Sequence, residues 1–249
     1  MNASESVLFW ISQEIFQWHP LSGGGSICNE PDTLLRRPYR MLRHAENKLK
    51  PSATELDLID SITTLKRAAY ERKDALIKQY ELKRIPISGL PHDHLERLAF
   101  LEIIRPVVLK TLVDIRNYIE HEKARPPDLE RCKEIAEYVW YFLRSTDSLL
   151  KVINDFYTLY SEDDEYWIEV RTGPSHAWKI EVRGWLPKDL FSKEEQQDWV
   201  EVRGVQRLAA ADQSAGSKER DHQDVYVGGQ ILGPTEALVT MYRQYYSQV

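Results

Sequence analysis

Arg116-Asn117-Tyr118-Ile119-Glu120-His121 brings together a permanently charged guanidinium and an imidazole that titrates near neutrality, with an amide that can orient either one. Cleaving RNA without a metal needs three things: a base for the 2′-hydroxyl, positive charge for the phosphorane and an acid for the leaving 5′-oxygen. His121 can serve as base or acid, and Arg116 offers fork-shaped donors to phosphate oxygens. One chain supplies one of each, which is thin for a full reaction. Two copies apposed about a two-fold axis would supply two of each across an isologous interface.

The helical pattern around the motif sorts its residues. Val108, Leu112, Ile115 and Ile119 recur as a core stripe, whereas Asp114, Asn117 and His121 share the opposite face at about 100° of rotation per residue. Arg116 falls at the border, where its stem can pack while its head reaches a polar site. Asp114 is a supporting candidate, though a carboxylate there is more often plain surface. The bland alternative is that His121 caps a helix C-terminus and Arg116 pairs with Glu120 one turn on.

Three helical patterns must position this motif. One runs from Ser52 to about Leu82, with Leu58, Ile62, Leu65, Ala69, Leu76 and Tyr80 as its stripe and Ser52 with Glu55 as a capping box. A second runs from about His92 to His121, with Pro106 marking a kink or break. Asp128 is the expected N-cap of a third, which ends near Tyr160. Ahead of them, Arg36, Arg40 and Arg43 fall on one helical face. That face is either solvated surface or a set of RNA-backbone contacts. Residues 2–18 place Val7, Leu8, Ile11, Ile15 and Trp18 at helical spacing, and a Gly-rich connector follows at 21–26.

Beyond the acidic run 161–165 the hydrophobic period changes from 3.6 to 2. Trp167-Ile168-Glu169-Val170-Arg171, Lys179-Ile180-Glu181-Val182-Arg183 and Trp199-Val200-Glu201-Val202-Arg203 each point aliphatics one way and Glu and Arg the other. The first two should pair as a hairpin, and residues 224–232 form a further strand before a C-terminal helix with Leu238, Met241, Tyr242 and Tyr245 as its stripe. Residues 209–223 read as a mobile loop. Trp167, Trp178, Trp185 and Trp199 are expected to pack the sheet against its helix.

Composition bounds the function classes. A net charge of −6 argues against a general polyanion binder, so any RNA recognition must rest on a local patch. No apolar run approaches the roughly 18 residues of a membrane span, and the N-terminus shows no secretory signal pattern. Cys28 and Cys132 lack metal-ligand spacing and suit a reducing cytoplasm. No metal and no cofactor is implied; His92 and His94 have no further ligands near them in sequence.

The Arg-x4-His spacing, with Asn after the Arg, resembles the signature of the HEPN superfamily, the higher eukaryote and prokaryote nucleotide-binding domains. The short loop Arg125-Pro126-Pro127-Asp128, and the amphipathic pattern of Ile135, Val139, Phe142 and Leu143 after it, extend the resemblance. It implies an all-helical domain over roughly 32–160, with RNA as substrate and a composite site in a homodimer. Arg116 would carry transition-state charge, Asn117 orientation and His121 proton transfer. It also implies a toxin or antiviral defence effector, with an antitoxin or regulatory protein as a further partner. Glu122 and Lys123 follow His121, so the His-x-Tyr extension of the nucleotidyltransferase-paired toxins is absent. The resulting expectation is an α+β chain: an N-terminal helix and connector at 1–31, a HEPN-like helical bundle at 32–160, and a small antiparallel sheet with a C-terminal helix at 161–249. The alternative function is a non-catalytic helical interaction or sensing module that binds a protein partner or a nucleotide ligand.

Overall fold

The computed structural model describes residues 6–27, 32–105, 107, 110, 111, 114, 125–208 and 224–247. The chain divides into two compact units. One comprises residues 1–26, 84–89 and 153–249, and the other residues 27–83 and 90–152.

The first unit is built on a sheet that corrects the expected architecture. Residues 2–18 are not a helix: strand β1 spans Val7–Ser12, a 3-10 turn follows at Gln13–Gln17, and β2 spans His19–Ser22. Val7-Leu8-Phe9-Trp10-Ile11 is an unbroken run of branched and aromatic residues. Such a run satisfies a helical stripe on paper and still prefers a pleated surface when strands stand on both sides. Short strands β3 (Gly25–Ile27) and β4 (Val152–Asn154) pair with each other. The chain then adds β5 (Phe156–Tyr160), β6 (Trp167–Arg171), β7 (Glu181–Leu186), β8 (Phe191–Ser192), β9 (Trp199–Leu208) and β10 (Val225–Gly233).

The main sheet has eight strands in the order β2-β5-β6-β7-β10-β9-β1-β8, and every neighbouring pair is antiparallel. The expected all-helical bundle followed by a small sheet is therefore overturned. The fold is a mixed α+β one whose sheet takes strands from both ends of the sequence. The hairpin of the first two pentads is present, with Glu169 opposite Arg183 and Val170 opposite Val182.

One face of the sheet carries Phe9, Ile11, Tyr157, Ile168, Val182, Val202 and Val227, all buried. The C-terminal helix, Thr235–Ser247, buries Met241, Tyr242 and Tyr245 in this unit. Its phenols are anchored by hydrogen bonds. Tyr245 donates to the Asn154 carbonyl at 2.9 Å, Tyr242 donates to the Trp178 carbonyl, and Tyr157 donates to the Met241 carbonyl at 3.1 Å. Trp178 is fully buried with its ring edge-on to Tyr242 and Tyr245, so the packing role expected of it holds.

The second unit is helical. Helix α1 spans Asp32–Lys48, α2 Glu55–Gln79, α3 His94–Phe100, α4 Leu129–Ser145 and α5 Asp147–Lys151, which makes the C-terminal helix α6. The cap of α2 is Thr54 rather than Ser52. Asp57 Oδ2 accepts from the Thr54 N–H at 3.0 Å, and Thr54 accepts from the Asp57 N–H at 3.3 Å. Of the expected stripe, Ile62, Leu65, Ala69, Leu76 and Tyr80 are buried and Leu58 is half-buried. Helix α4 starts at its Asp128 cap but stops at Ser145. Residues 152–154 and 156–160, read in sequence as its continuation, are strands.

At the centre of this unit lies Arg72, whose side chain is fully buried. Its Nη1 donates to the Leu143 carbonyl at 2.7 Å, to Thr146 at 3.0 Å and to Asp147 Oδ1 at 2.8 Å. Tyr39 donates to the other Asp147 oxygen at 2.9 Å, and burial followed by that carboxylate pushes its phenol up to about 12. One guanidinium thus ties α2 to the last turn of α4, where a cation meets carbonyls left open by the helix end. No helix among the described residues is long and apolar enough to cross a membrane.

Removing one partner of a buried pair leaves the other charge uncompensated. Arg72→Ala is therefore expected to destabilise the chain by about 3–5 kcal/mol, read by urea unfolding followed by circular dichroism. A loss under about 1 kcal/mol would show that the node is not what holds α2 to α4.

Candidate nucleic-acid interface

Helix α1 is basic on two faces, and the structure treats them differently. Arg37 pairs with Glu71 of α2 at 3.2 Å, His44 lies 3.4 Å from Asp60, and Lys48 reaches Asp60 at 2.9 Å and Asp57 at 3.5 Å. The Lys48 hydrogen bond holds the Asp60 carboxyl below the usual carboxylate range, and Thr54 does the same for Asp57. This stripe is consumed in docking α1 onto α2. Arg36, Arg40 and Arg43 occupy the other face and are exposed. Their spacing places three guanidinium groups along one side of the helix, the arrangement expected from the sequence.

Arg116, Asn117 and His121 lie outside the described residues, as do Cys28 and the loop expected at 209–223. Asp114 is described: it is helical and exposed. The loop that follows the motif is described from Arg125, and Asp128 caps α4 by accepting from the Arg131 N–H at 2.8 Å. Cys132, Ile135, Val139 and Leu143 form the buried stripe of α4. The Cys132 thiol is pushed up to about 11 by burial, which disfavours the thiolate. The opposite side of α4 exposes Tyr138, Trp140 and Tyr141, with the Arg144 guanidinium 5.9 Å from the Trp140 ring centre.

Three members of the polar columns of the sheet, Glu169, Arg171 and Arg183, are paired with one another. Glu169 accepts from Arg171 at 2.6 Å and from Arg183 at 2.9 Å. Burial alone would raise the Glu169 carboxyl, but hydrogen bonds from Arg183 and Arg171 outweigh it and hold it below its ordinary value. Among the described residues, no group of three or more His, Cys, Asp or Glu is arranged to hold a metal ion. Compared with family models, with curated proteins and with solved structures, the chain matches none.

A carboxyl depressed by folding contributes stability that is present above its unfolded pKa and lost as pH falls through the folded value. Between pH 6 and pH 3 the melting temperature of the wild type should therefore fall more steeply than that of Glu169→Gln. Parallel curves would show that the Arg171–Glu169–Arg183 cluster contributes nothing to acid sensitivity.

Proposed function

We propose that the helical unit is a metal-independent endoribonuclease of the HEPN type, in which two copies of the chain pool Arg116, Asn117 and His121 across a two-fold interface. The observation that carries this reading is the Arg-Asn-x3-His spacing, followed by a short loop and the capped amphipathic helix α4. In the proposed reaction one imidazole takes the 2′-hydroxyl proton and the freed oxygen attacks the adjacent phosphorus. Guanidinium groups offset the charge of the phosphorane, and a second imidazole protonates the departing 5′-oxygen. Asn117 orients the charged groups. The exposed Arg36, Arg40 and Arg43 face of α1 supports backbone contacts, which the overall charge of −6 would otherwise oppose. A toxin or antiviral defence effector, restrained by an antitoxin or regulatory protein, is the setting this activity suits, in the cytoplasm.

A second reading draws on the exposed aromatics Tyr138, Trp140 and Tyr141 of α4. On it the unit is a non-catalytic interaction or sensing module, and those rings meet a protein partner or a nucleotide.

The two readings part on one assay. Arg116→Ala and His121→Ala should each lose RNA cleavage by two orders of magnitude or more, with helical circular dichroism unchanged and the chain still dimeric in sedimentation. Arg40→Ala with Arg43→Ala should leave stability within about 0.5 kcal/mol and lower the salt dependence of RNA binding by a slope of about 1–2. Wild type that cleaves no RNA but still dimerises would leave the interaction reading standing. Collapse of either motif variant would make that residue structural.

A further inference from the structure

The sheet unit contains a cleft of about 580 Å³, within the range of roughly 300–1,000 Å³ usual for small-molecule sites. It opens where β1, β9 and the β10–α6 junction meet the loop that precedes β9. Its walls include Trp10, Trp199, Glu195, Asp198, Glu201 and Glu236, and its lining holds no Lys, Arg or His. Strand register explains how the parts assemble. Trp10 stands opposite Glu201 and Ser12 opposite Trp199, so the two indoles are diagonal neighbours on one sheet face with a carboxylate beside them.

Glu169, a few strands away, is clamped by two arginines, whereas none of the four cleft carboxylates has an ion-pair partner among the described residues. Glu236 sits in the first turn of α6, where the helix dipole favours it. Glu195, Asp198 and Glu201 have no such local support. The indoles are equally unengaged. Trp178 and Trp185 are buried against tyrosines, but Trp10 and Trp199 are half-buried with no side-chain hydrogen bond or ring contact among the described residues.

We propose that this cleft binds an organic cation with two or more spaced ammonium groups, a linear di- or polyamine. Indole faces attract ammonium groups and pack against the methylenes between them. A lone metal ion fits poorly, because among the described residues no three carboxylates converge on one point. Carboxylates spread around a cavity match charges spread along a chain, and a single ammonium would leave most of them repelling one another. This inference stands apart from the ribonuclease reading, since it uses no residue of that motif.

Titration calorimetry on the full chain, free of RNA, tests it with spermidine, choline, magnesium and a tetralysine peptide at matched ionic strength. Spermidine should bind saturably, one per chain, and roughly tenfold or more tighter than choline or magnesium. Glu201→Gln and Trp199→Leu should each weaken spermidine about tenfold while melting like the wild type, with Trp10→Leu replacing any variant that does not. No saturable heat would overturn the proposal. So would spermidine affinity unchanged by loss of either indole, which is diffuse surface attraction, and so would tighter binding of tetralysine, which makes the ligand a peptide.

Discussion

Strand β1 has to lie between β8 and β9, and much of the sheet unit follows from that. Residues 7–12 pair with 199–204 on one side and with 191–192 on the other. Without β1, the row of backbone donors and acceptors on β9 would be an open edge. Phe9 and Ile11 would leave the buried face, and the cleft would lose Trp10. Closing so long a loop of chain is entropically costly and must be repaid by non-local contacts made together. The anchored tyrosines of α6 supply part of that repayment: Tyr242 and Tyr245 reach carbonyls at Trp178 and Asn154. The helical segment is an excursion of the chain between strands of one sheet, and the sheet is no small appendix.

Within the helical unit the governing physics is the sorting of charge. Arg72 is buried and meets the end of α4, while Arg37, His44 and Lys48 are matched by acids of α2. Arg36, Arg40 and Arg43 form a second, exposed stripe on α1. Surface ion pairs are individually weak, so the matched stripe says more about the orientation of α1 than about stability. On the proposed ribonuclease reading that exposed stripe is where a polyanion would meet the chain, because an overall charge of −6 leaves such contacts to a local patch.

The sequence shows α2 and the strands of the pentads clearly, but it extends helices over residues 2–18, 101–105 and 152–160, whose described residues are not α-helical. Ile62, Leu65, Ala69 and Leu76 announce α2 because a long stripe with charges opposite leaves no competing period. The pentads announce β6 and β7 because Glu and Arg alternate with aliphatics, and Glu169 does meet Arg183. The run at residues 7–11 is too uniformly apolar to favour one period, and only its partners decide it. Residues 156–160 misled for a related reason: Phe156, Tyr157 and Tyr160 extend a helical stripe on paper, yet their side chains suit a half-buried strand. The cleft could not be read at all, since Trp10, Trp199 and Glu236 come together only through the register of distant strands and the junction after β10. The basic stripe could be read, because its spacing is local to one helix. The Arg-Asn-x3-His motif remains a matter of sequence, for its three residues lie outside those described.

The most direct test of the central claim is the chemistry of the RNA ends. RNA incubated with the full chain in excess EDTA, then mapped by end-specific ligation, should show cuts that end in 2′,3′-cyclic phosphate and 5′-hydroxyl groups. That is the signature of internal attack by the 2′-oxygen. Cuts that vanish in EDTA, or that leave 3′-hydroxyl and 5′-phosphate ends, would contradict the account, because water activated by a metal would then be the nucleophile.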